Sequence, residues 1–352
     1  MSGSLREVAF AVPGDITAHT GGTQYDRKLI EALRTSGQPV RLLTLPTGWP
    51  APTPAEEHAT LAQLNALPNK MPVIIDGLVF GALAEKDVAA LNRPIIVMLH
   101  HPLGLETGLP EALAQDLISR ERANLRLASH VLAPSEHVAS ILQKLFDVEP
   151  SRITVARPGF EKPIHAGNTQ RQSPPLILSV GLICRRKGHD VLLRALGLIQ
   201  DLDWQARIVG MVQDPTYNVE LERLSTELML TERVEFLGEL SQEALSTQFR
   251  RASIFALATR YEGYGMVLSE AQLHGLPVVS CATGAVPETV GSGGLLAPPD
   301  DPSAFAKNLR ALLEDRVHFS RMAARASYHA NSLPTWFTSA KAVVRALDAY
   351  AR

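Results

Sequence analysis

A single stretch between residues 253 and 288 constrains the fold more tightly than any other part of the chain. Residues 253–258 form a short apolar run without charges, which is typical of a buried strand in a parallel sheet. Residues 266–274 lack glycine and proline and mix apolar with polar side chains, so they predict a helix that ends at Gly275. Residues 277–280 predict the next strand. Strand, loop, helix and strand in this order indicate an α/β protein with a parallel sheet.

The loop before the predicted helix carries Glu262, Gly263, Tyr264 and Gly265. Backbone N–H groups at a helix N-terminus suit a phosphate, and glycines let a ligand approach the backbone. The carboxylate of Glu262, in contrast, would repel a bare phosphate. A sugar diphosphate satisfies both, because its hydroxyls can reach Glu262 while its phosphates take the three amides that follow. Glu270 lies inside the helix, roughly a nucleoside's length away at ~1.5 Å rise per residue, where a carboxylate can accept both hydroxyls of a ribose.

The spacing Glu262-x7-Glu270, followed by Gly-x-Pro at 275–277 and Gly-x-x-x-Glu at 284–288, resembles the donor-site signature of the family 4 retaining glycosyltransferases. Two glutamates eight residues apart occur by chance in many helices, so the resemblance depends on the whole stretch. It covers essentially the entire chain, strongly over residues 176–300 and weakly in the first half. The family has the GT-B fold.

The resemblance implies an α/β, GT-B architecture of two Rossmann-like domains that face each other across a cleft. Residues 1–165 would form the N-terminal domain on the acceptor side, and residues 166–332 the C-terminal domain on the nucleotide-sugar donor side. Residues 333–352 would form a helix that crosses back to the N-terminal domain. The polar, proline-containing stretch 161–175 is the best candidate for the linker.

Composition limits the class of protein. A chain of 352 residues is long for one domain and comfortable for two. A net charge of −2 lacks the excess of positive charge that is typical of nucleic-acid-binding proteins. The apolar runs have strand length and no signal peptide is evident, so we expect a cytoplasmic protein with at most peripheral membrane contact. The two isolated cysteines fit a reducing compartment. No metal-ligand spacing of Cys or His occurs, which predicts a metal-independent protein without a cofactor.

The N-terminal half opens with a glycine pair inside a strand–loop–helix–strand pattern. Residues 7–12 predict the first strand, Gly21 and Gly22 follow in the loop, and a helix is predicted from about Gln24 to Ser36. The pair lacks the full dinucleotide fingerprint, so an ordinary turn is an equal alternative. In the resembled family a glycine pair here lies across the cleft from the diphosphate. That implies a donor-binding role for Gly22 and, less directly, for Gly21.

Two histidines follow the predicted strand 95–99. The carboxyl ends of strands face the ligand crevice in open α/β sheets, so His100 and His101 are functional candidates. The alternative is a loop histidine with local hydrogen bonds. In the resembled family a histidine after this strand contacts the donor sugar, and His100 fits that register better, although His101 stays open. Glu106 and Thr107 either line the acceptor side or belong to a solvated loop.

A basic loop follows the first strand of the C-terminal half and contains Arg185, Arg186 and Lys187. Negative charge grows on the leaving nucleoside diphosphate as the glycosidic bond stretches, so fixed cations stabilise the transition state most. The resemblance implies an arginine directly after the glycine of this loop and a lysine five residues later. The lysine is Lys187, but the arginine position holds Leu182. Arg186 or Arg185 would supply the missing charge, and a basic surface turn is the alternative.

Together these features predict a retaining hexosyltransferase that moves a hexose from a nucleoside-diphosphate sugar to a sugar, glycan or lipid-linked acceptor in glycan, polysaccharide or glycolipid synthesis. No carboxylate is placed obviously as a nucleophile, which favours front-face attack assisted by the leaving phosphate. A GT-B sugar-nucleotide epimerase and a non-catalytic sugar-nucleotide-binding subunit remain alternatives. The predicted catalytic residues are His100, Lys187, Arg186 and Glu262, and the predicted donor-binding residues are Gly21, Gly22, Gly263, Tyr264, Gly265 and Glu270.

Overall fold

The chain divides into two compact units. A computed structural model describes residues 6–18, 20–161 and 171–350. The first unit comprises Met1–Phe160 together with Pro334–Arg352, and the second comprises Glu161–Leu333. The predicted domain boundary between residues 165 and 166, and most of the predicted linker, lie outside the described residues.

The first unit is built on a six-stranded parallel sheet in the order β2-β1-β3-β4-β5-β6. Its strands are β1 (Val8–Pro13), β2 (Val40–Leu45), β3 (Val73–Asp76), β4 (Ile95–Met98), β5 (His130–Ala133) and β6 (Ile153–Val155). Its first six helices are α1 (Gly21–Thr35), α2 (Pro54–Asn65), α3 (Gly77–Phe80), α4 (Glu85–Ala90), α5 (Glu111–Leu127) and α6 (Glu136–Phe146). Strands β3, β4 and β5 are buried along their whole length, as expected for parallel strands in an α/β unit.

The second unit repeats this architecture with a sheet in the order β12-β11-β10-β7-β8-β9. Its strands are β7 (Leu176–Val180), β8 (Gln205–Val209), β9 (Val234–Gly238), β10 (Ile254–Leu257), β11 (Val278–Cys281) and β12 (Gly294–Ala297). Its helices are α7 (His189–Gly197), α8 (Pro215–Glu227), α9 (Gln242–Arg251), α10 (Met266–Leu273), α11 (Val286–Val290), α12 (Pro302–Glu314) and α13 (Arg316–Ala330). The buried strands β10 and β11, which are neighbours in this sheet, come before and after the loop that carries the sequence signature.

The last helix, α14 (Trp336–Tyr350), belongs to the first unit. It packs against α1, β5 and β6. The Trp336 ring meets the Tyr25 ring edge-on, with 5.3 Å between the centroids. At the far end, the Tyr350 hydroxyl donates a hydrogen bond to the Ser151 carbonyl at 2.7 Å. The C-terminal segment is therefore a packed part of the first unit.

Helix α1 begins earlier than the sequence predicts. Helix α1 begins at Gly21 rather than near Gln24, because the Thr20 hydroxyl accepts a hydrogen bond from a first-turn amide and caps the helix. The glycine pair therefore forms the start of the helix instead of a preceding loop. Helix α8 begins at Pro215, because Asp214 caps it and proline occupies its first position.

Two further helices begin at a side-chain cap. The Ser135 hydroxyl accepts a hydrogen bond from the Val138 amide at 3.1 Å, so this serine, which follows a strand, starts helix α6. Asp301 caps α12, because its side chain accepts a hydrogen bond from the Ala304 amide at 2.9 Å. Both side chains satisfy amides that have no acceptor within the helix.

The helices are of ordinary globular length. The longest, α5, has 17 residues, and α1, α13 and α14 have 15 each. A transmembrane helix needs about 20 predominantly apolar residues. Within the described ranges, no helix has both the length and the apolar character to cross a bilayer.

Candidate active site

In the second unit, the predicted donor-site residues gather where β7 and β10 end. These strands are neighbours in the sheet, so their carboxyl ends share one edge. Strand β7 leads into the basic turn Arg185–Lys187 and then into α7, whereas β10 leads through the signature loop into α10. The Arg260 amide of the signature loop donates a hydrogen bond to the Arg186 carbonyl at 2.7 Å. The two loops are thus joined through their backbones.

Lys187 and Glu262 form the central ion pair of this site. Lys187 Nζ lies 2.6 Å from Glu262 Oε1, and Arg186 Nη1 lies 3.8 Å from Glu262 Oε2. Glu262 is only 5% exposed. The stem of Lys187 crosses Gly181, where an added Cβ would lie 3.2 Å from Lys187 Cδ. Two cations thus face one buried carboxylate, which a folded protein tolerates because the charge is paired.

The two cations beside Glu262 decide its charge state and its effect on a bound phosphate. Burial alone would raise the pKa of Glu262, but the charges of Lys187 and Arg186 outweigh burial and lower this pKa below its ordinary value. Glu262 therefore stays ionised, and the group of three side chains keeps a net positive charge. The repulsion that the sequence predicts between Glu262 and a phosphate is offset within the site.

The two arginines of the basic turn have different partners. Arg185 is exposed, and its Nη2 donates to both carboxylate oxygens of Glu220 at 2.7 and 2.8 Å. Arg186 is half-buried and faces Glu262. The sequence left both open as the replacement for an arginine at Leu182. Of the two, Arg186 lies beside the ion pair.

Arg260 links the signature loop to the first turn of α7. Its Nη1 and Nη2 lie 3.0 and 2.8 Å from the two carboxylate oxygens of Asp190, and its Nε lies 2.8 Å from Asp300 Oδ1. Gly188 ends the turn with φ of +64°, and a Cβ there would lie 1.9 Å from the Ala258 carbonyl oxygen. Only glycine lets the turn approach the end of β10 this closely.

Helix α10 begins without a side-chain cap. Gly265 occupies the N-cap position in the left-handed conformation, with φ of +86°, and within the described residues the helix has no side-chain cap hydrogen bond. The preceding Tyr264 is buried, and its carbonyl accepts a hydrogen bond from the Thr289 hydroxyl at 2.6 Å. Gly263 lies between Tyr264 and the ion-paired Glu262. A helix N-terminus of this kind suits an anionic ligand.

Glu270 lies in the second turn of α10 and is half-buried. Burial raises the pKa of Glu270 to about 7. Within the described residues, no group donates a hydrogen bond to its carboxylate. A carboxylate removed from water without a partner is costly, and such groups cluster at functional sites.

In the first unit, Gly22 and His100 are neighbours. A Cβ added to Gly22 would lie 3.4 Å from His100 Cδ2, whereas one added to Gly21 would meet nothing within 4 Å. His100 directly follows the end of β4, and its Nε2 lies 2.8 Å from Asp26 Oδ1. The Tyr25 ring meets the imidazole edge-on at 5.0 Å between centroids. The start of α1 therefore contacts His100 through Gly22, Tyr25 and Asp26, but not through Gly21.

Two buried carboxylates face His100 from different elements. Asp26 on α1 is 1% exposed and Asp76, at the end of β3, is 4% exposed. Asp76 Oδ2 lies 3.8 Å from His100 Nε2, while its Oδ1 accepts from the Leu78 amide at 2.7 Å. Burial and the charge of Asp26 raise the pKa of Asp76 to about 7. Burial alone would lower the pKa of His100, but the two carboxylates raise it above its ordinary value.

The same three side chains offer ligand atoms to a metal ion. One ligand atom each from Asp26, Asp76 and His100 lie within 4.8 Å of one another. The sequence argument against a metal considered only closely spaced cysteines and histidines, whereas this group comes from three separate elements. Metal independence therefore stays a prediction.

His101 has a different environment from His100. Its Nε2 lies 3.9 Å from Glu106 Oε2, and Glu106 Oε1 also accepts from the exposed Thr107 amide at 3.1 Å. Of the two histidines that the sequence left open, His100 is the one that lies beside Gly22 and the buried carboxylates. Glu106 and Thr107 lie in an exposed loop, in keeping with the solvated alternative.

The sequence interpretation assigned no role to Asp26, Asp76, Asp190 or Arg260. A signal for Asp26 was available, because a charged residue on the apolar face of an amphipathic helix is unusual. The apolar side chains on that face are Leu29, Ile30 and Leu33. Asp190 and Arg260 gave no such signal, because their pairing depends on a contact between two loops far apart in sequence.

Two family models match the chain. The model described as Glycosyl transferases group 1 matches residues 161–331, which carry the ion pair and α10. The model described as Glycosyltransferase Family 4 matches residues 20–162, which carry His100 and its carboxylates. Between them the two models span most of the chain, and they meet where the two units meet in sequence.

Curated relatives share this assignment. The D-inositol 3-phosphate glycosyltransferase 1 of Catenulispora acidiphila is 29% identical over 252 residues, which are 66% of this chain and 59% of the relative. The D-inositol 3-phosphate glycosyltransferase of Streptomyces griseus subsp. griseus is 28% identical over 270 residues, 67% of this chain and 57% of the relative. The chain therefore spans less than three-fifths of the length of these relatives.

Solved structures share the fold over nearly the whole chain. Sucrose-phosphate synthase from Thermosynechococcus elongatus has a TM-score of 0.80 at 21% identity, covering 98% of this chain and 99% of that one. Anabaena Alr3699/HepE, in complex with UDP and glucose, has a TM-score of 0.74 at 20% identity, covering 97% and 99%. With two six-stranded parallel sheets and matches to both family models, the chain belongs to the family 4 glycosyltransferases and has the GT-B fold.

Proposed function

We propose that this chain transfers a hexose from a nucleoside-diphosphate sugar to an acceptor hydroxyl with retention of the anomeric configuration. The observation that carries the proposal is the Lys187–Glu262 ion pair, with Arg186 beside it and the uncapped start of α10 after it. A diphosphate would find both cations and helix amides in this unit. The hydroxyl groups of a bound sugar would donate hydrogen bonds to the buried, ionised carboxylate of Glu262.

The cations are suited to the leaving group. Lys187 carries three ammonium protons and one of them points to Glu262, so the others can donate to a diphosphate. As the glycosidic bond stretches, negative charge accumulates on the diphosphate, and preformed positive charge in a half-buried site stabilises that state more than the ground state. A front-face reaction, in which the leaving phosphate takes the acceptor proton, needs no carboxylate nucleophile.

Glu270 is proposed to bind the ribose of the donor. Its carboxylate has no hydrogen-bond donor within the described residues, and a ribose offers two hydroxyls that can supply one to each oxygen. Hydrogen bonds from the ribose would compensate the free-energy cost of keeping the Glu270 carboxylate partly removed from water. For His100, the role carried forward from the resemblance is a contact to the donor sugar.

The names of similar proteins indicate the classes of substrate to try. The curated relatives are named for transfer to D-inositol 3-phosphate, and HepE was solved with UDP-glucose. We propose a nucleotide sugar as donor and a sugar, glycan or lipid-linked acceptor, with no cofactor and no nucleic-acid partner. The net charge of −2 supports the last point. The free cysteines Cys184 and Cys281 support the proposal that the protein is located in the reducing cytoplasm.

The test is product analysis after incubation with a panel of UDP-, GDP- and ADP-hexoses, with and without pooled acceptors. Mass spectrometry should show an acceptor that has gained one hexose, and NMR of the product should show the anomeric configuration of the donor. Product formed without acceptor would instead indicate an epimerase. Tight donor binding without transfer to any acceptor would indicate a non-catalytic binding subunit. Inversion at the anomeric carbon would contradict the retaining mechanism.

A further inference from the structure

The basic turn is held against the signature loop by the carbonyl groups of its two arginines. The Arg186 carbonyl accepts hydrogen bonds from the Arg260 amide at 2.7 Å and from the Thr259 hydroxyl at 3.1 Å. The Arg185 carbonyl accepts a hydrogen bond from Arg260 Nη1 at 2.5 Å. Lys187 directly follows these two carbonyls in the sequence. The backbone that leads into Lys187 is therefore fixed by two adjacent residues of the signature loop.

The partner of Lys187 is fixed by the same loop. Glu262 lies two residues after Arg260, and its own carbonyl accepts a hydrogen bond from the Ala285 amide at 2.9 Å. The Arg260 carbonyl accepts a hydrogen bond from the Thr283 hydroxyl at 2.8 Å. Both sides of the ion pair between Lys187 and Glu262 are thus connected to the backbone of Arg260. The 2.6 Å approach of the two charges depends on how these loops are joined.

The guanidinium of Arg260 is engaged by the protein. Its Nη1 and Nη2 donate to the two carboxylate oxygens of Asp190, and its Nε donates to Asp300 Oδ1 at 2.8 Å. With the bond to the Arg185 carbonyl, these are four hydrogen bonds within the described residues, and an arginine has five N–H groups. The carboxylates of Asp190 and Asp300 also balance its single positive charge. A diphosphate would therefore gain little from Arg260 directly.

Asp190 connects Arg260 to the helices α7 and α8. The Tyr217 hydroxyl donates to Asp190 Oδ1 at 2.5 Å, and the Asp190 amide donates to the Tyr217 hydroxyl oxygen at 3.1 Å. Burial alone would raise the pKa of Asp190, but hydrogen bonds from Arg260 and Tyr217 lower it below its ordinary value. Asp190 is therefore ionised at neutral pH. Its two-pronged pairing with Arg260 fixes the direction as well as the distance of the guanidinium.

We propose that Arg260 is a positioning residue, which together with Asp190 holds the basic turn where Lys187 can meet the leaving diphosphate. Positive charge stabilises a transition state most when its position is set before the reaction. A displacement of about 1 Å can lower a rate by ~10²-fold. Arg260 acts through Lys187 and Arg186 and does not itself touch the donor. The effect on the rate rests on the proposed hexosyl transfer, whereas the effect on diphosphate binding is measured without transfer.

A double-mutant cycle tests whether Arg260 acts through Lys187. Calorimetric titration of the full chain with UDP, GDP and ADP identifies the nucleotide that binds most tightly. We expect Arg260→Met to weaken its binding about tenfold, the scale of losing one hydrogen bond to a charged group. In the Lys187→Ala background the same change should weaken binding less than about threefold, because the cation that it positions is gone. Equal losses in the two backgrounds, or unchanged affinity in Arg260→Met, would overturn the proposal.

The matched control is Arg310→Met. Arg310 also pairs with both oxygens of an aspartate, at 2.7 and 2.6 Å from Asp201, and it joins α12 to the segment between α7 and β8. Its loss should leave nucleotide affinity unchanged in both backgrounds. If Arg310→Met showed the same coupling to Lys187, the effect would be a general consequence of removing an ion pair, and the positioning role of Arg260 would fail.

Two further variants keep the test valid if Arg260→Met is unstable. Arg260→Met combined with Asp190→Asn removes both charges of the pair, so no aspartate is left facing a missing cation. Arg260→Lys keeps the charge but lacks the planar fork that reaches Asp190 and Asp300 together. We expect both variants to couple to Lys187→Ala as Arg260→Met does. A general loss of stability would instead lower affinity equally in both backgrounds.

Kinetics extend the cycle to the reaction. At saturating donor, Arg260→Met should lower kcat about tenfold in the wild-type background and less than about threefold in Lys187→Ala. If transfer is found but kcat falls equally in the two backgrounds, Arg260 does not act through Lys187 and the proposal fails. If no transfer is found with any donor while the binding cycle shows the coupling, the proposed function fails and the positioning of Lys187 by Arg260 stands.

Discussion

The two candidate sites of this chain balance their buried carboxylates in opposite ways. In the second unit, Lys187 and Arg186 face the single carboxylate of Glu262. In the first unit, the imidazole of His100 faces the carboxyl groups of Asp26 and Asp76. Both sites lie at the carboxyl ends of parallel strands, where an open α/β sheet places its ligand-binding residues. The same position in two related architectures therefore carries an excess of basic side chains in one case and of carboxyl groups in the other.

The difference determines how each site responds to pH. Lysine and arginine stay charged across the physiological range, so the charge around Glu262 is constant. Histidine and a carboxyl group with a pKa raised to about 7 change their charge within that range. The second unit is thus suited to holding a diphosphate of fixed charge. The first unit is suited to adjusting protons next to a neutral, hydroxyl-bearing ligand.

The largest effect is expected from Lys187→Ala, which removes the cation closest to Glu262. Loss of one preorganised charge-stabilising group should lower kcat by ~10²–10³. Lys307→Ala, an exposed lysine on α12, is the matched control and should keep the wild-type kcat. Steady-state kinetics with saturating donor, together with circular dichroism to establish folding, provide the measurement. A Lys187→Ala enzyme with normal kcat and a raised KM would place Lys187 in ground-state binding only.

A smaller effect is expected from Arg186→Ala, because its guanidinium lies 3.8 Å from Glu262 rather than 2.6 Å. We expect kcat to fall about tenfold, which corresponds to ~1.4 kcal/mol. Arg185→Ala should be nearly silent, since Arg185 is exposed and binds Glu220. Adding Leu182→Arg to the Arg186→Ala variant should restore part of the loss. Failure of that rescue would mean that Arg186 does not stand in for an arginine at position 182.

The two sites also differ in how far the sequence could predict them. The signature loop is local, so the order of strand, Glu262, glycines and helix was predictable within a few residues. The partner of Glu262 was not, since its contact with Lys187 joins two loops 75 residues apart. In the first unit, His100 was found because it directly follows a strand. Asp26 was missed although it lies within the predicted helix, on the same buried face as Leu29, Ile30 and Leu33.

A moderate, pH-dependent effect is expected from Glu270→Gln. The pKa of Glu270 is raised to about 7, so its carboxylate is ionised above pH 7 and becomes protonated below it. A protonated carboxyl group accepts fewer hydrogen bonds from the ribose hydroxyls than a carboxylate does. We therefore expect the affinity of the wild type for the nucleoside diphosphate to fall as the pH drops through 7. Calorimetric titration from pH 6 to 8 should show this dependence in the wild type and in the exposed-site control Glu232→Gln. Glu270→Gln should bind more weakly at every pH and lose the dependence, and a wild type with flat affinity would contradict the ribose role.

The smallest effect is expected from removing divalent metal, which should leave the rate of transfer unchanged. Lys187, Arg186 and the first amides of α10 can meet the charge of the diphosphate, and protons on His100 and Asp76 can balance the carboxyl groups of the first unit. The measurement is the transfer rate in excess chelator, with the metal content of the treated protein determined in parallel. Loss of transfer, restored by magnesium or manganese, would show that a proton-based balance is insufficient. Asp26→Asn would then locate the ion, with Asp116→Asn at an exposed position of α5 as the control. If the metal content falls in Asp26→Asn but not in Asp116→Asn, the metal ion is bound by Asp26, Asp76 and His100. The two units would then differ in that the first balances its carboxylates with a metal ion and the second with Lys187 and Arg186.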